Sequence, residues 1–246
     1  MQDVGHAHPV RRAPRARLAV VVALLASGLA LACANGQQAA QVLANSRPMS
    51  LDVCDPATGT FSLEIDNPFL PYPEGAVWVL ASEDERVQIS VLPDTEVVAG
   101  VTTRVVEERE WEDGELVEVS RNFVVQAADG SVCYFGEDVD DYEDGKISGH
   151  GGAWRAGVNG ARPGILMAGR PEIGISHAQE ASPGAAEDAS VVVGMGETVT
   201  VPAGTFTDTL STLDVNPLAN ELDEKRYARG VGLIRDEAML LLEYDL

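Results

Sequence analysis

The sequence has 246 residues, of which 45% are hydrophobic, and 39 acidic residues against 17 lysines and arginines give a formal net charge of −22. The hydrophobic fraction is typical of a globular protein and too high for a wholly disordered chain. The charge argues against a nucleic-acid partner, because no basic surface is available to neutralise phosphates, and an anionic membrane surface would repel the folded part. No cofactor is expected, since the sequence lacks phosphate-loop, dinucleotide-binding and zinc-protease motifs.

The first 32 residues predict a signal peptide. Four arginines lie within residues 1–17, and fifteen uncharged residues, 18–32, follow them. Fifteen helical residues span about 22 Å, which is short of the roughly 30 Å hydrocarbon core of a bilayer. A basic segment, a short apolar stretch and the sequence Ala30-Leu31-Ala32 are together typical of a secretory signal. Its removal takes away four arginines and one aspartate and leaves a net charge of −25.

Cys33 is a candidate lipidation site. The segment from Leu29 to Cys33 resembles a bacterial lipobox, in which the cysteine is lipidated and becomes the mature N-terminus. It departs from the usual pattern, because Ala30 stands where Leu is commonest and Leu31 where a small residue is preferred. Ordinary signal peptidase cleavage after Ala32 stays open, so the protein is expected to be an envelope lipoprotein or a soluble exported protein. Contact with a membrane is expected only through the lipid.

The remaining chain is expected to form a tether and one domain. Residues 33–60 are small and polar with weak periodicity, which predicts a tether. From Phe61 onward apolar residues recur at every second position, as in Val87, Ile89 and Val91. This period indicates strands with one buried face, so residues 61–246 are predicted to be a single β-rich domain.

Tight turns separate the predicted strands. Asp113-Gly114, Asp129-Gly130 and Asp144-Gly145 each divide two β-like runs, which predicts consecutive hairpins. The fold class is therefore mainly β, with an antiparallel meander forming a strongly curved sheet, a half-open barrel or a closed barrel. Residues 150–190 are dense in Gly and Pro and predict a long irregular excursion with short strand pieces.

Two cysteines are expected to pair. Once Cys33 is set aside, Cys54 and Cys133 remain as an even pair in an oxidising compartment. The alternative is two separate thiols, with Cys133 buried in a strand.

Two acidic runs are candidates for chemistry. Carboxylates of the first could bind a hard cation such as Ca²⁺, although an EF-hand fails because His150 and Gly151 replace the closing glutamate. The candidate metal ligands are Asp138, Asp140, Asp141 and Asp144. The alternative interpretation is a solvated hairpin. The second run, residues 107–115, could supply a hydrolytic carboxylate pair, but alternation along a strand is expected to split it between two faces.

The histidine and serine residues give little evidence of a catalytic site. After the signal peptide only His150 and His177 remain, and no Gly-x-Ser-x-Gly elbow supplies a nucleophile. Three aromatic residues, Trp78, Trp154 and Tyr227, are candidates to line a ligand cavity in the sheet. The alternative is that these three side chains simply fill the core.

Two motifs carry a resemblance to a known group. The segment Thr200–Phe206 contains VPAGTF, and Tyr227–Ile234 reads YARGVGLI, while Asn67–Pro71 and Trp78 match the entry strand. Over residues 65–246 the chain resembles a broad group of bacterial exported proteins of unknown function that includes TapB-like ones. The resemblance implies an exported β-rich domain, often lipid-anchored, and no catalytic residue. Both motifs are expected to be architectural, with Phe206 pointing into the core.

The sequence favours an exported, lipid-anchored envelope protein that acts as a non-enzymatic binding or interaction module. Its partner would be a protein or a small apolar ligand. One alternative is a secreted hydrolase with a carboxylate-based site. Another is a carrier that holds an apolar ligand in a cavity of its β-sheet.

Overall fold

A computed structural model describes residues 41–184, 186–216 and 221–246. The predicted signal peptide and Cys33 lie outside the described residues. The described part contains α-helical residues 41–44, a 3₁₀ helix, Leu51–Cys54, and sixteen strands. The strands are β1 (Arg47–Pro48), β2 (Phe61–Ser62), β3 (Val77–Ala81), β4 (Glu85–Val98), β5 (Val101–Glu112), β6 (Glu115–Ala127), β7 (Val132–Glu143), β8 (Lys146–Gly149), β9 (Trp154–Arg155), β10 (Gly164–Met167), β11 (Ile175–Ala178), β12 (Ala189–Val201), β13 (Gly204–Asn216), β14 (Glu221–Ala228), β15 (Gly232–Asp236) and β16 (Met239–Asp245).

The strands form one large, mostly antiparallel sheet built from two meanders. Strands β3 to β7 pair in chain order, and so do β12 to β16. The two meanders join where β16 pairs with β3, so the last strand of the domain lies beside the first long one. Within the described residues no helix is long and apolar enough to cross a bilayer.

The Asp-Gly turns lie where the sequence places them. They connect β5 to β6, β6 to β7 and β7 to β8. At Asp113-Gly114 the φ angles are 51° and 82°, and at Asp144-Gly145 they are 53° and 71°. Positive φ at both central residues matches the right-handed twist of the flanking strands, which is why these dipeptides favour two-residue hairpins.

The prediction of a mainly β, antiparallel fold is confirmed, but the expected strong curvature, with a half-open or closed barrel, is wrong. The sheet is neither closed nor strongly curled, and its hydrogen-bonded order in the described part runs from β1 to β10. The Gly- and Pro-rich segment provides strands that pair with the outer long strands of the sheet. It supplies the short strands β10 and β11, which pair with β7 and β12 at opposite ends of that order. Covered edges need no closure to avoid unpaired backbone groups.

The described part of the predicted tether contacts the domain. Strand β1 pairs in parallel with β11, and the 3₁₀ helix ends at Cys54, which is fully buried. Cys54 forms the predicted disulfide with Cys133 of β7 across 79 residues, with 5.6 Å between the Cα atoms. In the chain-entropy model a loop of this length stabilises the fold by about 4 kcal/mol.

The motif residues have structural partners. Asn67 is buried, and its side chain donates to the carbonyls of Gly130 and Ala168 and accepts from the amides of Phe69 and Leu70. Phe206 is half-buried and packs against the hydrophobic core, and its ring centroid lies 6.2 Å from that of Tyr244.

Candidate functional site

A cavity of about 290 Å³ lies on the inner face of the sheet, and both meanders contribute to its wall. Its lining is divided between apolar side chains, such as Leu80 and Val106, and ionisable ones. Seven carboxyl groups line it: Glu108, Glu110, Glu180, Asp188, Asp214, Asp223 and Asp236. We call this space the acidic cavity.

Strand alternation directs two glutamates of β5 into the acidic cavity. Val106, Glu108 and Glu110 share one face of β5, as period two requires. Glu107 lies on the other face, where it accepts a hydrogen bond from Arg109 at 2.7 Å. The expectation that this acidic run is split between two faces is therefore confirmed. Ile89 of β4 pairs with Glu108, so an apolar neighbour stands beside the carboxyl group.

The opposite wall centres on Lys225. Asp223, Lys225 and Tyr227 share one face of β14, and the register places Lys225 opposite Asp236 of β15. The Lys225 ammonium lies 3.0 Å from a carboxylate oxygen of Asp236 and 3.9 Å from one of Asp214. Both carboxylates raise the pKa of Lys225 well above its usual value despite burial, so the amine stays charged and is not a nucleophile.

Asp214 is fixed by a small hydrogen-bond network. Its carboxylate accepts from the hydroxyl of Ser190 at 2.6 Å and from that of Thr212 at 3.1 Å. Gln179 donates to its other oxygen at 3.4 Å. These bonds satisfy the buried anion and orient it towards Lys225.

Burial governs the ionisation of the remaining carboxyl groups. It raises the pKa of Glu108 to about 7, with a further contribution from the charge of Glu110. It likewise raises the pKa of Glu180 to about 7, assisted by Asp188, and the pKa values of Glu110 and Asp188 are raised as well. Two carboxyl groups of the cavity, Glu108 and Glu180, therefore exchange protons near neutral pH.

Phenol groups complete the wall. Tyr72 and Tyr227 are 8% and 6% exposed, and burial raises both pKa values, which keeps the hydroxyls protonated. Trp78 packs edge-to-face on Tyr72 with 5.6 Å between ring centroids. Within the described part of the chain, neither phenol hydroxyl nor the carboxyl group of Glu108 has a hydrogen-bond partner. Tyr134, by contrast, donates to Asn122, whose amide donates to the carbonyl of Val106.

A second space of about 260 Å³ adjoins the acidic cavity. The two spaces share six lining residues: Val87, Glu110, Asp223, Lys225, Asp236 and Met239. The second space is further lined by acidic side chains at the ends of β4, β5 and β15. These are Glu85, Glu112 and Glu237. We call this space the acidic mouth.

The three aromatic residues that were predicted to line a ligand cavity lie in different places. Tyr227 lines the acidic cavity, whereas Trp78 is a core residue whose indole donates to the carbonyl of Val231 at 2.7 Å. Trp154 packs edge-to-face on Tyr134 and lines a separate depression beside Arg155.

The four candidate metal ligands are not brought together. Asp138 accepts from Arg155, Asp140 from Arg121, and Asp141 from the amide of Gly151, while Asp144 lies in the β7–β8 turn. Asp138 and Asp140 share one face of β7, where each is paired with an arginine, and Asp141 lies on the other face. The described residues contain no group of three or more His, Cys, Asp or Glu side chains placed to hold a metal ion.

The two histidines are apart from the acidic cavity's lining. His150 lies near the β7–β8 hairpin, with its Nδ1 atom 2.7 Å from the carbonyl of Val139. His177 is buried in β11, and burial lowers its pKa to about 4, so it is neutral at physiological pH.

Sequence reasoning did not single out Lys225, Asp214, Asp236 or Tyr72. One signal was present: Lys225 is one of two lysines and alternates with Asp223 and Tyr227, which places three cavity residues on one strand face. Burial of that face depends on pairing with β13 and β15, which a single strand does not reveal.

No protein-family model matches the chain, and neither a curated protein nor a solved structure matches it. The resemblance carried by the VPAGTF and YARGVGLI motifs stays a prediction.

The raised pKa of Glu108 generates a stability prediction. Between its ordinary pKa of 4.5 and about 7, folded Glu108 keeps a proton that the unfolded chain releases, so rising pH destabilises the fold. Glu108→Gln removes this effect, which is on the order of 3 kcal/mol in the free energy of unfolding. Urea unfolding at pH 5 and pH 8 measures this effect. Between these two pH values the free energy of unfolding is expected to fall less in Glu108→Gln than in the wild type.

Glu115→Gln, an exposed substitution at the β5–β6 hairpin, is the control and should follow the wild-type pH dependence. Parallel pH profiles for the wild type and Glu108→Gln would contradict the burial of this carboxyl group.

Proposed function

We propose that this protein is an exported small-molecule-binding protein that encloses its ligand in the acidic cavity. The observation that carries the proposal is the cavity wall itself. Tyr72, Tyr227 and Glu108 present polar groups to an interior space without a hydrogen-bond partner in the described residues. These groups line an accessible space, so they are placed to pair with a ligand or with ordered water.

The residues that line the cavity argue against one of the functions that the sequence left open, a carrier of a purely apolar ligand. A carrier for a purely apolar ligand would line its cavity with apolar side chains, whereas seven carboxyl groups line this one. Filling that space with hydrocarbon would desolvate carboxyl groups such as Glu108 and Glu110, which have no ion-pair partner in the described residues. The lining supports a ligand with both polar and apolar parts.

Export is supported by two features, the predicted signal peptide and the disulfide between Cys54 and Cys133. A disulfide persists in an oxidising compartment. In this proposal Cys33 carries a lipid that anchors the domain to the cell envelope.

A carboxylate-based hydrolase is the second candidate. The pKa of Glu108 is raised to about 7, while the Lys225 ammonium lies 3.0 Å from Asp236. A carboxyl group of raised pKa and a second carboxyl group in the same cavity are the components of a glycosidase-type acid–base pair.

Blocking the cavity tests the binding proposal. Met239 lies where the acidic cavity meets the acidic mouth, so Met239→Trp is expected to close the passage. The mature wild-type domain should bind members of a fragment library of cationic, neutral and anionic compounds, detected by saturation-transfer NMR. Met239→Trp should lose these signals.

The matched control is Leu242→Trp, an exposed position on the same strand, which should bind as the wild type does. Absence of binding to the wild type, or equal binding by both variants, would overturn the proposal. Turnover of glycoside or ester substrates by the wild type and its loss in Glu108→Gln would favour the hydrolase.

The anchor is tested at Cys33. If this residue is lipidated, Cys33→Ser should move the protein from the membrane fraction to the soluble fraction and change its mass after processing. Cys33→Ala should behave in the same way, because the thiol is what carries the lipid. Unchanged mass and unchanged partition would leave ordinary secretion as the answer.

A further inference from the structure

We propose that the acidic cavity selects a compact amphiphilic cation, namely a primary or secondary amine attached to an aromatic or branched aliphatic body. This inference rests on the proposed binding function and specifies its ligand class. It follows from the balance of charges in the wall, the position of the apolar surface and the character of the mouth.

The charge balance favours a cation. Among the described residues that line the acidic cavity, seven carry carboxyl groups and Lys225 alone carries a positive charge. Its ammonium already contacts Asp236 and Asp214. Glu108 and Glu110 on the facing strand have no ion-pair partner in the described part of the chain, so a ligand ammonium placed between the two walls would supply one.

The apolar surface gives the ligand its body. Val87 and Ile89 of β4, Leu80 of β3 and Leu233 of β15 line the same space as the carboxyl groups. Burying apolar ligand surface against them contributes about 25 cal/mol per Å². The volume of about 290 Å³ lies at the small end of ligand pockets, so the body is a single ring or a short branched chain.

The acidic mouth also favours a cationic ligand. Glu85, Glu112 and Glu237 line the adjoining space, and the mature chain carries a net charge of −25. A negatively charged entrance raises the local concentration of cations and repels anions. An anionic ligand would also meet desolvated carboxylates inside, and a neutral one would leave them without a counter-charge.

Proton exchange should accompany binding. Glu108 is faced by Glu110 on its own strand, Glu118 of β6, Tyr72, and Lys225 and Asp236 of the opposite wall. A bound ammonium stabilises ionised Glu108, so the cation and the proton compete for the same carboxylate. Affinity for the cation should therefore rise with pH between 5.5 and 8.

Three probes of the same shape test the proposal on the mature domain: 2-phenylethylamine, 2-phenylethanol and 3-phenylpropanoate. The amine stays protonated at pH 5.5 and pH 8, because alkylammonium groups resemble lysine in acidity. Calorimetric titration should give at least about tenfold tighter binding of the amine than of either other probe at pH 8. Binding of the amine should weaken about tenfold at pH 5.5.

Variants separate the carboxylate's role from overall charge. Glu108→Gln should weaken binding of the amine about tenfold and leave binding of the alcohol unchanged. Glu115→Gln removes the same charge from an exposed site and should bind as the wild type does. Far-ultraviolet circular dichroism of each variant confirms that it is folded.

Two failures are distinguishable. Tighter binding of the alcohol or the propanoate than of the amine, or an amine affinity independent of Glu108 and of pH, would overturn the ligand class while leaving the cavity a binding site. Failure of all three probes and of the wider fragment library would overturn the proposed function itself.

Discussion

The pairing of Lys225 with Asp236 and Asp214 is the interaction on which the interior depends. The ammonium of Lys225 lies within 4 Å of both carboxylates, which come from the two strands that flank β14. Removing one partner from this partly buried set leaves an uncompensated charge, which destabilises the fold. The register that places Lys225 opposite Asp236 is therefore as much an electrostatic requirement as a geometric one.

The protonation of the other carboxyl groups in the acidic cavity follows from how few of them Lys225 can neutralise. One ammonium cannot neutralise seven carboxyl groups, so the groups facing it respond in another way. Burial holds the pKa of Glu108 and of Glu180 near 7, and both keep protons that an exposed glutamate would lose. Glu108 and Glu180 can therefore either keep a proton or ionise beside a bound cation. This choice is the basis of the proposed ligand class.

Local features of the sequence foretold local features of the fold. The Asp113-Gly114 and Asp144-Gly145 dipeptides define hairpins because their backbone preference needs no distant partner. Alternation likewise predicts that Glu107 and Glu108 face opposite sides of β5. The Cys54–Cys133 pairing followed from compartment and count.

Long-range pairing decided what the sequence could not. Which face of β5 is buried depends on β14 and β15, more than a hundred residues further along. Asp138 and Asp140 are predicted cation ligands, yet Arg155 and Arg121 pair with them in the folded chain. Trp78 packs behind Tyr72 in the core, where neighbours from both meanders meet. Each outcome rests on contacts that neither periodicity nor spacing encodes.

The most direct test of this account is the titration midpoint of Glu108, followed by carbon-13 NMR of its carboxyl group in the wild type and in Lys225→Met. The Lys225 ammonium lowers the pKa of Glu108, so its loss should raise the midpoint above the wild-type value of about 7. Lys146→Met, which removes the protein's other lysine from the exposed strand β8, should leave the midpoint unchanged. An unchanged midpoint in a folded Lys225→Met variant would contradict the central role of this ammonium.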